Sequence, residues 1–301
     1  MKLKKIKKKI KHFFEYILLV VLSSFVRLFP LKTSLKSAEF LGNLFYKLNE
    51  KHKLRALENL KYAFPEKSDS ELDLIIRRMY VNMVKVYLEF MNLDRINDSY
   101  LNEKITIIGK ENLDNALKKG RGIVAVTGHL DNWELLGTIL VKSGYKLAAL
   151  YHPMRNPWSD RFFYKLRAKT GMELISMYEY LKPSLSALNE NKILGLISDQ
   201  DAGGDGVFVK FFNRYASTSK GPAVFAVKKK SPMLFFNLIR GENDTHTLYI
   251  SEELPVKITG DLQNDIYYNT KLWSDMLEKW VRKYPEQWFW VHRRWQTKYK
   301  K

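Results

Sequence analysis

The sequence predicts an α/β fold with a central, mostly parallel sheet flanked by helices, preceded by an all-helical lead-in and a membrane-associated N-terminal helix. From about residue 104, short β-rich apolar runs alternate with helical stretches of about 10–15 residues, the pattern of a largely parallel sheet. Before that point, apolar residues recur at helical spacing. A lysine-rich segment followed by an apolar run opens the chain. We therefore expect three regions: an anchoring helix over 1–30, the lead-in over 31–100 and an α/β catalytic domain over 101–301.

The N-terminal segment has the composition of a helix that binds a membrane surface. Residues 2–11 are mostly lysine, and residues 16–26 are almost wholly apolar. A spanning helix needs about 20 apolar residues, whereas an interfacial helix needs only one apolar face with cations beside it. We expect the interfacial arrangement, with a full span and a cleaved signal peptide as alternatives. No small-residue cleavage site follows the apolar run.

Apolar periodicity predicts each further element in order. The lead-in is expected to form three helices, over 33–48, 52–64 and 69–94, the last opening with a capping signal after Pro65. The second half is expected to form strands at 104–109, 122–127, 146–150, 193–198, 233–239 and 245–251, with helices near 132–144, 220–230 and 262–284. No repeat or low-complexity linker divides this half of the chain.

Composition restricts the chemistry and the partners. The chain of 301 residues carries 51 Lys and Arg against 32 Asp and Glu, a net charge of +19. Such a field attracts nucleic acid, anionic lipid or an acidic carrier protein. There is no cysteine, which excludes disulfides, thiolate metal sites and thiol nucleophiles.

One segment combines a strand end with acid–base side chains. In GIVAVTGHLDNWELLG the predicted strand breaks at Gly128 and a helix resumes after Asp131, so His129 lies where open α/β sheets form their ligand crevices. On a continuous helix Glu134 would point about 140° away from His129, so the two can meet only if His129 lies in the loop. A neutral imidazole oriented by a carboxylate can take a proton from an attacking hydroxyl. The alternative is that Glu134 only completes a capping box with Asp131.

Four segments in order resemble one enzyme family. GHLDNWELLG, SDQD (198–201), VFVKFFNRYASTSKGPA (207–223) and PEQWFWVHRRW (285–295) together are similar to the late lauroyl/myristoyl acyltransferases of lipid A biosynthesis, in the lysophospholipid acyltransferase superfamily. The resemblance implies an inner-membrane enzyme with its catalytic domain on the cytoplasmic face. It would move a fatty acyl group from acyl carrier protein or acyl-CoA to a hydroxyl of a lipid A precursor or related glycolipid, without a cofactor. His129 and Glu134 match the family's H-x4-E catalytic pair.

The resemblance and the strand ends suggest further site residues. Arg167 matches a basic position near the family's site and could stabilise an oxyanion. Asp199 follows a predicted strand directly, at a position where the family keeps an acid. These two join His129 and Glu134 as the candidate catalytic residues. The candidate substrate-binding residues are Arg155, Asp201, Ser217, Thr218 and Lys220.

Several readings compete with these expectations. Asp199 and Asp201 could be a metal pair, but nothing nearby completes an oxygen cage and acyl transfer from a thioester needs no metal, so no metal is expected. Residues 206–212 could line an acyl channel or form a buried hairpin. His292 has no acidic partner at useful spacing and is expected to be structural. A lipid esterase could use the same pair with water. A nucleic-acid-binding protein is disfavoured because no recognition module appears, so no nucleic-acid partner is expected.

Overall fold

The computed structural model describes residues 2–299. In that range the helices are α1 (Lys2–Arg27), α2 (Leu31–Leu48), α3 (Glu50–Ala63), α4 (Asp69–Phe90), α5 (Asp98–Lys104), α6 (Lys110–Leu117), α7 (Trp133–Lys142), α8 (Pro157–Ala168), α9 (Leu181–Asn189), α10 (Gly221–Lys229) and α11 (Leu262–Lys283). The strands are β1 (Ile105–Ile108), β2 (Ile123–Thr127), β3 (Leu147–Tyr151), β4 (Glu173–Ser176), β5 (Ile193–Ile197), β6 (Val207–Phe211), β7 (Arg214–Thr218), β8 (Met233–Arg240) and β9 (His246–Ile250).

The N-terminal region is helical, as the periodicity predicts. The Ser68 side chain caps α4 through a reciprocal capping box with Glu71, which confirms the predicted start. The helix ends at Phe90 rather than 94, because the chain there turns into a short 3-10 segment, Leu93–Arg95. Helix α2 packs along α4, and Arg27 at the end of α1 pairs with Asp94 at 2.7 Å.

Helix α1 lies against α8 of the α/β region. The Asn156 side chain, just before α8, donates a hydrogen bond of 2.8 Å to the His12 carbonyl, and the rings of Phe13 and Trp158 pack edge to face. Large apolar side chains of α1 nevertheless remain exposed, among them Ile10, Phe14, Leu18, Leu22 and Phe25. Between residues 2 and 299 no helix has both the length and the hydrophobicity to cross a bilayer.

The central sheet has seven strands in the order β1-β9-β8-β2-β5-β3-β4. Strands β8, β2, β5, β3 and β4 run parallel to their neighbours, so the prediction of a mostly parallel sheet is confirmed. The exception is β9, which pairs antiparallel with β8 because only the short turn at 241–245 joins them. Strands β6 and β7 form a separate hairpin, the arrangement that the sequence left open for 206–212.

Both faces of the sheet are buried, which the strand alternation explains. In β2, Val124 and Val126 join the core formed with α3, α4 and α11, whereas Ile123 and Ala125 join the core formed with α6 and α7. Helices therefore cover the sheet on both sides, and the strand ends form its open edge.

Candidate active site

The site forms where two neighbouring parallel strands end. Strands β2 and β5 pair in register, with Thr127 opposite Ile197, so the second residue beyond each strand is His129 on one and Asp199 on the other. His129 Nδ1 lies 2.6 Å from Asp199 Oδ1, and the His129 backbone N–H donates to Asp199 Oδ2 at 2.7 Å. Gly128 permits this approach, since a Cβ there would lie 2.8 Å from Leu277 and 3.0 Å from the Asp199 carboxylate.

The Asp199 carboxylate is fully buried and ionised. Burial alone would raise its pKa, but the His129 ring and the hydrogen bonds that His129 donates hold that pKa well below its usual range. Trp288 Nε1 donates a further hydrogen bond of 2.8 Å. Because an ionised carboxylate only accepts hydrogen bonds, Nδ1 of His129 carries a proton, and Nε2 is the nitrogen that has the lone pair whenever the ring is neutral. His129 Nε2 lies 3.4 Å from Gln200 Nε2.

Glu134 does not orient His129, so that prediction is wrong. Its carboxylate accepts two hydrogen bonds from Arg167 on α8, at 2.8 Å from Nε and 2.5 Å from Nη2, and one of 3.2 Å from Trp133 Nε1. The physical reason is the start of α7 at Trp133: the Trp133 ring packs 4.5 Å from the His129 ring, and Glu134 turns toward α8. The capping alternative is also wrong, since the cap is Asn132, whose side chain accepts from the Leu135 N–H at 2.9 Å.

The Glu134–Arg167 pair is a charged element of the same site. Burial opposes the charge on Arg167, but Glu134 raises the pKa of the guanidinium above its ordinary value. The guanidinium also lies 5.0 Å from the centre of the Phe90 ring. Both charges of the pair line the cavity that opens beside His129.

That cavity has a volume of about 740 Å³ and two chemically different ends. The polar end contains His129, Glu134, Arg167, Asp201 and Lys220. The apolar end runs between α7 and the sheet, where a row of small residues across three strands leaves room, with Ala125 and Ala149 each in register with Gly195.

Apolar side chains line the cavity between α7 and the sheet, among them Leu136, Leu140 and Leu147. Gly137 of α7 lines the wall, and a Cβ at this position would meet the Met172 sulfur at 2.8 Å and a Leu147 methyl at 3.3 Å. The volume lies in the range of small-molecule sites, and the lining suits a flexible hydrocarbon chain.

The predicted substrate-binding residues divide into three groups. Asp201 and Lys220 line the cavity, and Asp201 also accepts a hydrogen bond of 2.7 Å from the Thr297 hydroxyl. Arg155 is exposed on the loop between β3 and α8 and does not line the cavity. Ser217 and Thr218 are fully buried, and the structure contradicts a contact between these two hydroxyls and substrate.

The burial of these hydroxyls has a structural cause. The Ser217 hydroxyl donates to the Gly203 carbonyl at 2.6 Å. Arg294, itself buried, donates to the Ser217 carbonyl at 2.7 Å and to the Thr218 hydroxyl at 2.6 Å. Strand β7 thus uses these polar groups to hold the C-terminal segment rather than to bind substrate.

Sequence reasoning missed the part that this C-terminal segment plays in the site. Besides Trp288, it contributes His292, whose ring packs 4.6 Å from the ring of His129. Burial, and then the neighbouring His129, lower the pKa of His292 to about 3, so its imidazole is neutral. Nitrogen and oxygen atoms of His129, Asp199 and His292 lie within 4.8 Å of one another, and this is the group among the described residues that could offer ligands to a metal ion. In the sequence, the family block at 285–295 indicated these contacts, and the spacing of residues along the chain did not.

Comparisons with known proteins identify the family of the chain. The sequence profile of the family described as bacterial lipid A biosynthesis acyltransferase matches residues 3–297. The lipid A biosynthesis acyltransferase of Haemophilus influenzae is 24% identical over 80% of this chain and 75% of its own length. The lipid A biosynthesis myristoyltransferase of Escherichia coli K12 is 24% identical, over 83% and 77%. The phosphatidylinositol mannoside acyltransferase of Mycolicibacterium smegmatis is 24% identical, over 74% and 73%. The chain is an O-acyltransferase and belongs to the bacterial lipid A biosynthesis acyltransferase family.

Proposed function

We propose that this acyltransferase moves a fatty acyl group from acyl carrier protein or acyl-CoA to a hydroxyl of a lipid A precursor or a related glycolipid. One observation carries the proposal: a histidine whose Nδ1 is bound to a buried carboxylate lines a cavity that has both charged and apolar walls. An acyl chain would fill the apolar end and place its thioester carbonyl beside His129. The names of the relatives refer to lipid A and to phosphatidylinositol mannoside, which supports a glycolipid acceptor.

The proposed reaction needs no nucleophile from the protein. The acceptor hydroxyl gives its proton to His129 Nε2 while its oxygen attacks the thioester carbon. Asp199 stabilises the imidazolium that forms, as the third member of a hydrolase triad does. Collapse of the tetrahedral intermediate breaks the C–S bond, and the proton returns from His129 to the departing thiolate. Arg167, despite its pairing with Glu134, and the N-terminal end of α7 supply positive potential for the oxyanion.

Two substitutions test the roles of the dyad. His129→Ala should reduce acyl transfer by about 10²–10⁴-fold, the usual contribution of a general base. Asp199→Asn should cause a loss of similar size, about 10²–10⁴-fold, because an amide can hold the wrong imidazole tautomer. The assay uses labelled acyl donor with and without glycolipid acceptor, and His52→Ala, a histidine on α3 outside the cavity, is the control.

The same assay separates the alternatives. Undiminished transfer by folded His129→Ala protein would refute the general-base role. Release of free fatty acid at the same rate with or without acceptor would favour the esterase alternative, in which water replaces the hydroxyl.

We further propose that α1 lies in the interface of the inner membrane, with the catalytic domain on the cytoplasmic face. Exposed apolar side chains recur along α1 at a spacing of four residues, at Ile10, Phe14, Leu18 and Leu22, next to the lysine-rich first turns. Helix α1 also contacts Asn156, on the loop whose neighbours His152 and Met154 line the cavity. The mouth would then face the bilayer, where both lipid substrates lie.

A further inference from the structure

A buried charge cluster lies beside the catalytic loop, residues 128–132, but outside the cavity. Glu89 of α4 and Arg240 of β8 form two parallel hydrogen bonds, from Nη1 to Oε1 and from Nη2 to Oε2, each of 2.7 Å. The Glu89 side chain is fully buried and that of Arg240 is 7% exposed. Neither residue lines the cavity beside His129. The reaction proposed above therefore makes no use of them.

Both members of the pair hold the catalytic loop. Asn132 Nδ2 donates to Glu89 Oε2 at 2.7 Å, while Asn132 Oδ1 caps α7. Arg240 Nε donates to Asp131 Oδ1 at 3.2 Å. Asp131 is buried and has a φ of +45°, a conformation that non-glycine residues keep only when the surroundings hold it.

The C-terminal segment holds the other side of the same loop. The Asp131 N–H donates to the Gln287 carbonyl at 2.8 Å, and the Phe289 N–H donates to the His129 carbonyl at 3.1 Å. The Gln287 side chain exchanges two hydrogen bonds with the Arg240 backbone, of 3.0 and 2.9 Å. Arg240 thus links the loop, the sheet and the C-terminal segment.

We propose that Glu89 and Arg240 are positioning residues for acyl transfer, which hold the catalytic loop so that His129 stays aligned with Asp199. A buried ion pair is often no more stabilising than a packed apolar pair, so stability alone does not account for it. The hydrogen bonds of the pair to Asp131 and Asn132 give a reason for a buried ion pair at this place. The link from this pair to turnover rests on the general-base role proposed for His129.

Glu89→Gln is the test, because it should leave the protein folded. The amide keeps the shape of the side chain, and Arg240 retains Asp131 and Asp244 as countercharges. We expect kcat to fall by about 10- to 100-fold, the cost of a displacement of about 1 Å at a catalytic group. KM should change by less than about threefold, since no substrate contact is removed.

A spectroscopic signal tests the alignment without substrate. The Nδ1 proton shared with Asp199 across 2.6 Å should give a far-downfield resonance that His129→Ala removes. Glu89→Gln should shift or broaden this resonance. Asp244→Asn is the matched control. It also removes a partner of Arg240, at 3.4 Å, but Asp244 makes no hydrogen bond with the catalytic loop. Both kcat and the resonance should therefore be unchanged.

The outcomes are distinct. An unchanged resonance in Glu89→Gln overturns the proposal, whether or not kcat falls. A changed resonance with a reduced kcat supports it, and a changed resonance with full kcat supports the positioning while refuting the base role of His129. If Glu89→Gln does not fold, Asn132→Ser replaces it, because serine caps α7 well but lacks the amide group that Asn132 uses to donate to Glu89.

Discussion

His129 has one acidic residue five positions later in the chain and another seventy positions later, and only the distant one binds its ring. The sequence placed His129 and Glu134 at a strand–loop–helix junction, and the structure confirms that junction. Whether two side chains meet there depends on rotamers and on what else occupies the space. Trp133 fills the space next to the imidazole, and Arg167 attracts the carboxylate.

At this scale we predict strong coupling between Glu134 and Arg167. Removing either charge leaves the other partly buried without its partner. For a fully buried pair this lowers the free energy of unfolding by about 3–5 kcal/mol, and the loss is smaller here because the pair is partly exposed. Glu134→Gln and Arg167→Met should each destabilise the protein, and the double variant should recover about 1–3 kcal/mol of the summed loss. Urea unfolding of all four proteins measures this.

Acyl transfer by the same four proteins is a second measurement. If Arg167 supplies positive potential to the oxyanion, the double variant should regain stability but not acyl transfer. Full activity in the stable double variant would show that the pair is only structural. Additive losses of stability would show that the two charges act independently.

At the scale of elements, the site depends on where strands end and which strands are neighbours. The sequence predicted the ends of β2 and β5 at Thr127 and Ser198, and the strands end at Thr127 and Ile197. Their adjacency could not be predicted, because β5 follows β2 only after two other strands along the chain. The register of β2 and β5 is what brings residues 129 and 199 together.

Helix α1 carries the prediction that belongs to this scale. Leu18→Glu combined with Leu22→Glu places two charges in its exposed apolar face. Binding to vesicles of phosphatidylethanolamine and phosphatidylglycerol should fall by about 100-fold or more, since each leucine contributes about 1.5–3 kcal/mol when buried in an apolar phase. Co-sedimentation in low and high salt measures the loss.

The control for this experiment is Ile258→Glu, an exposed isoleucine outside α1. It should leave vesicle binding unchanged. Wild-type protein that leaves the vesicles in high salt, or a double variant that binds as tightly as wild type, would contradict an inserted apolar face and favour purely electrostatic attachment.

At the scale of the whole molecule, buried charges make stability depend on pH. Burial opposes the ionisation of Glu89, but Arg240 and His246 lower its pKa to about 2. In an unfolded chain a glutamate has a pKa of about 4.3. A carboxyl group with a depressed native pKa adds stability above its unfolded pKa and loses it as the pH falls toward the native value. The free energy of unfolding should therefore decline between about pH 5 and pH 2.

Glu89→Gln isolates this contribution. The variant should be less stable than the wild type at pH 7, and the difference should shrink as the pH falls toward 2, because the wild-type carboxylate then becomes protonated. Urea unfolding across this range is the measurement. Two stability curves that stay parallel down to pH 2 would show that the pKa of Glu89 does not differ between the native and unfolded states.

The local structure of the protein could be predicted from its sequence. Apolar periodicity predicted the helical lead-in, the strands and the mostly parallel sheet, and the four sequence blocks indicated the family. His129 was found because it lies just beyond a predicted strand, and the residues beyond a strand can be read directly from the sequence. Asp199 was selected for the same reason, without its partner being known.

Only the tertiary structure decided which groups meet. It paired Asp199 with His129 and Glu134 with Arg167, and it buried Ser217 and Thr218. Periodicity is a local property, since each residue's direction follows from its neighbours along the chain. Strand order and side-chain partners instead depend on contacts between distant segments, whose free energies no local pattern records.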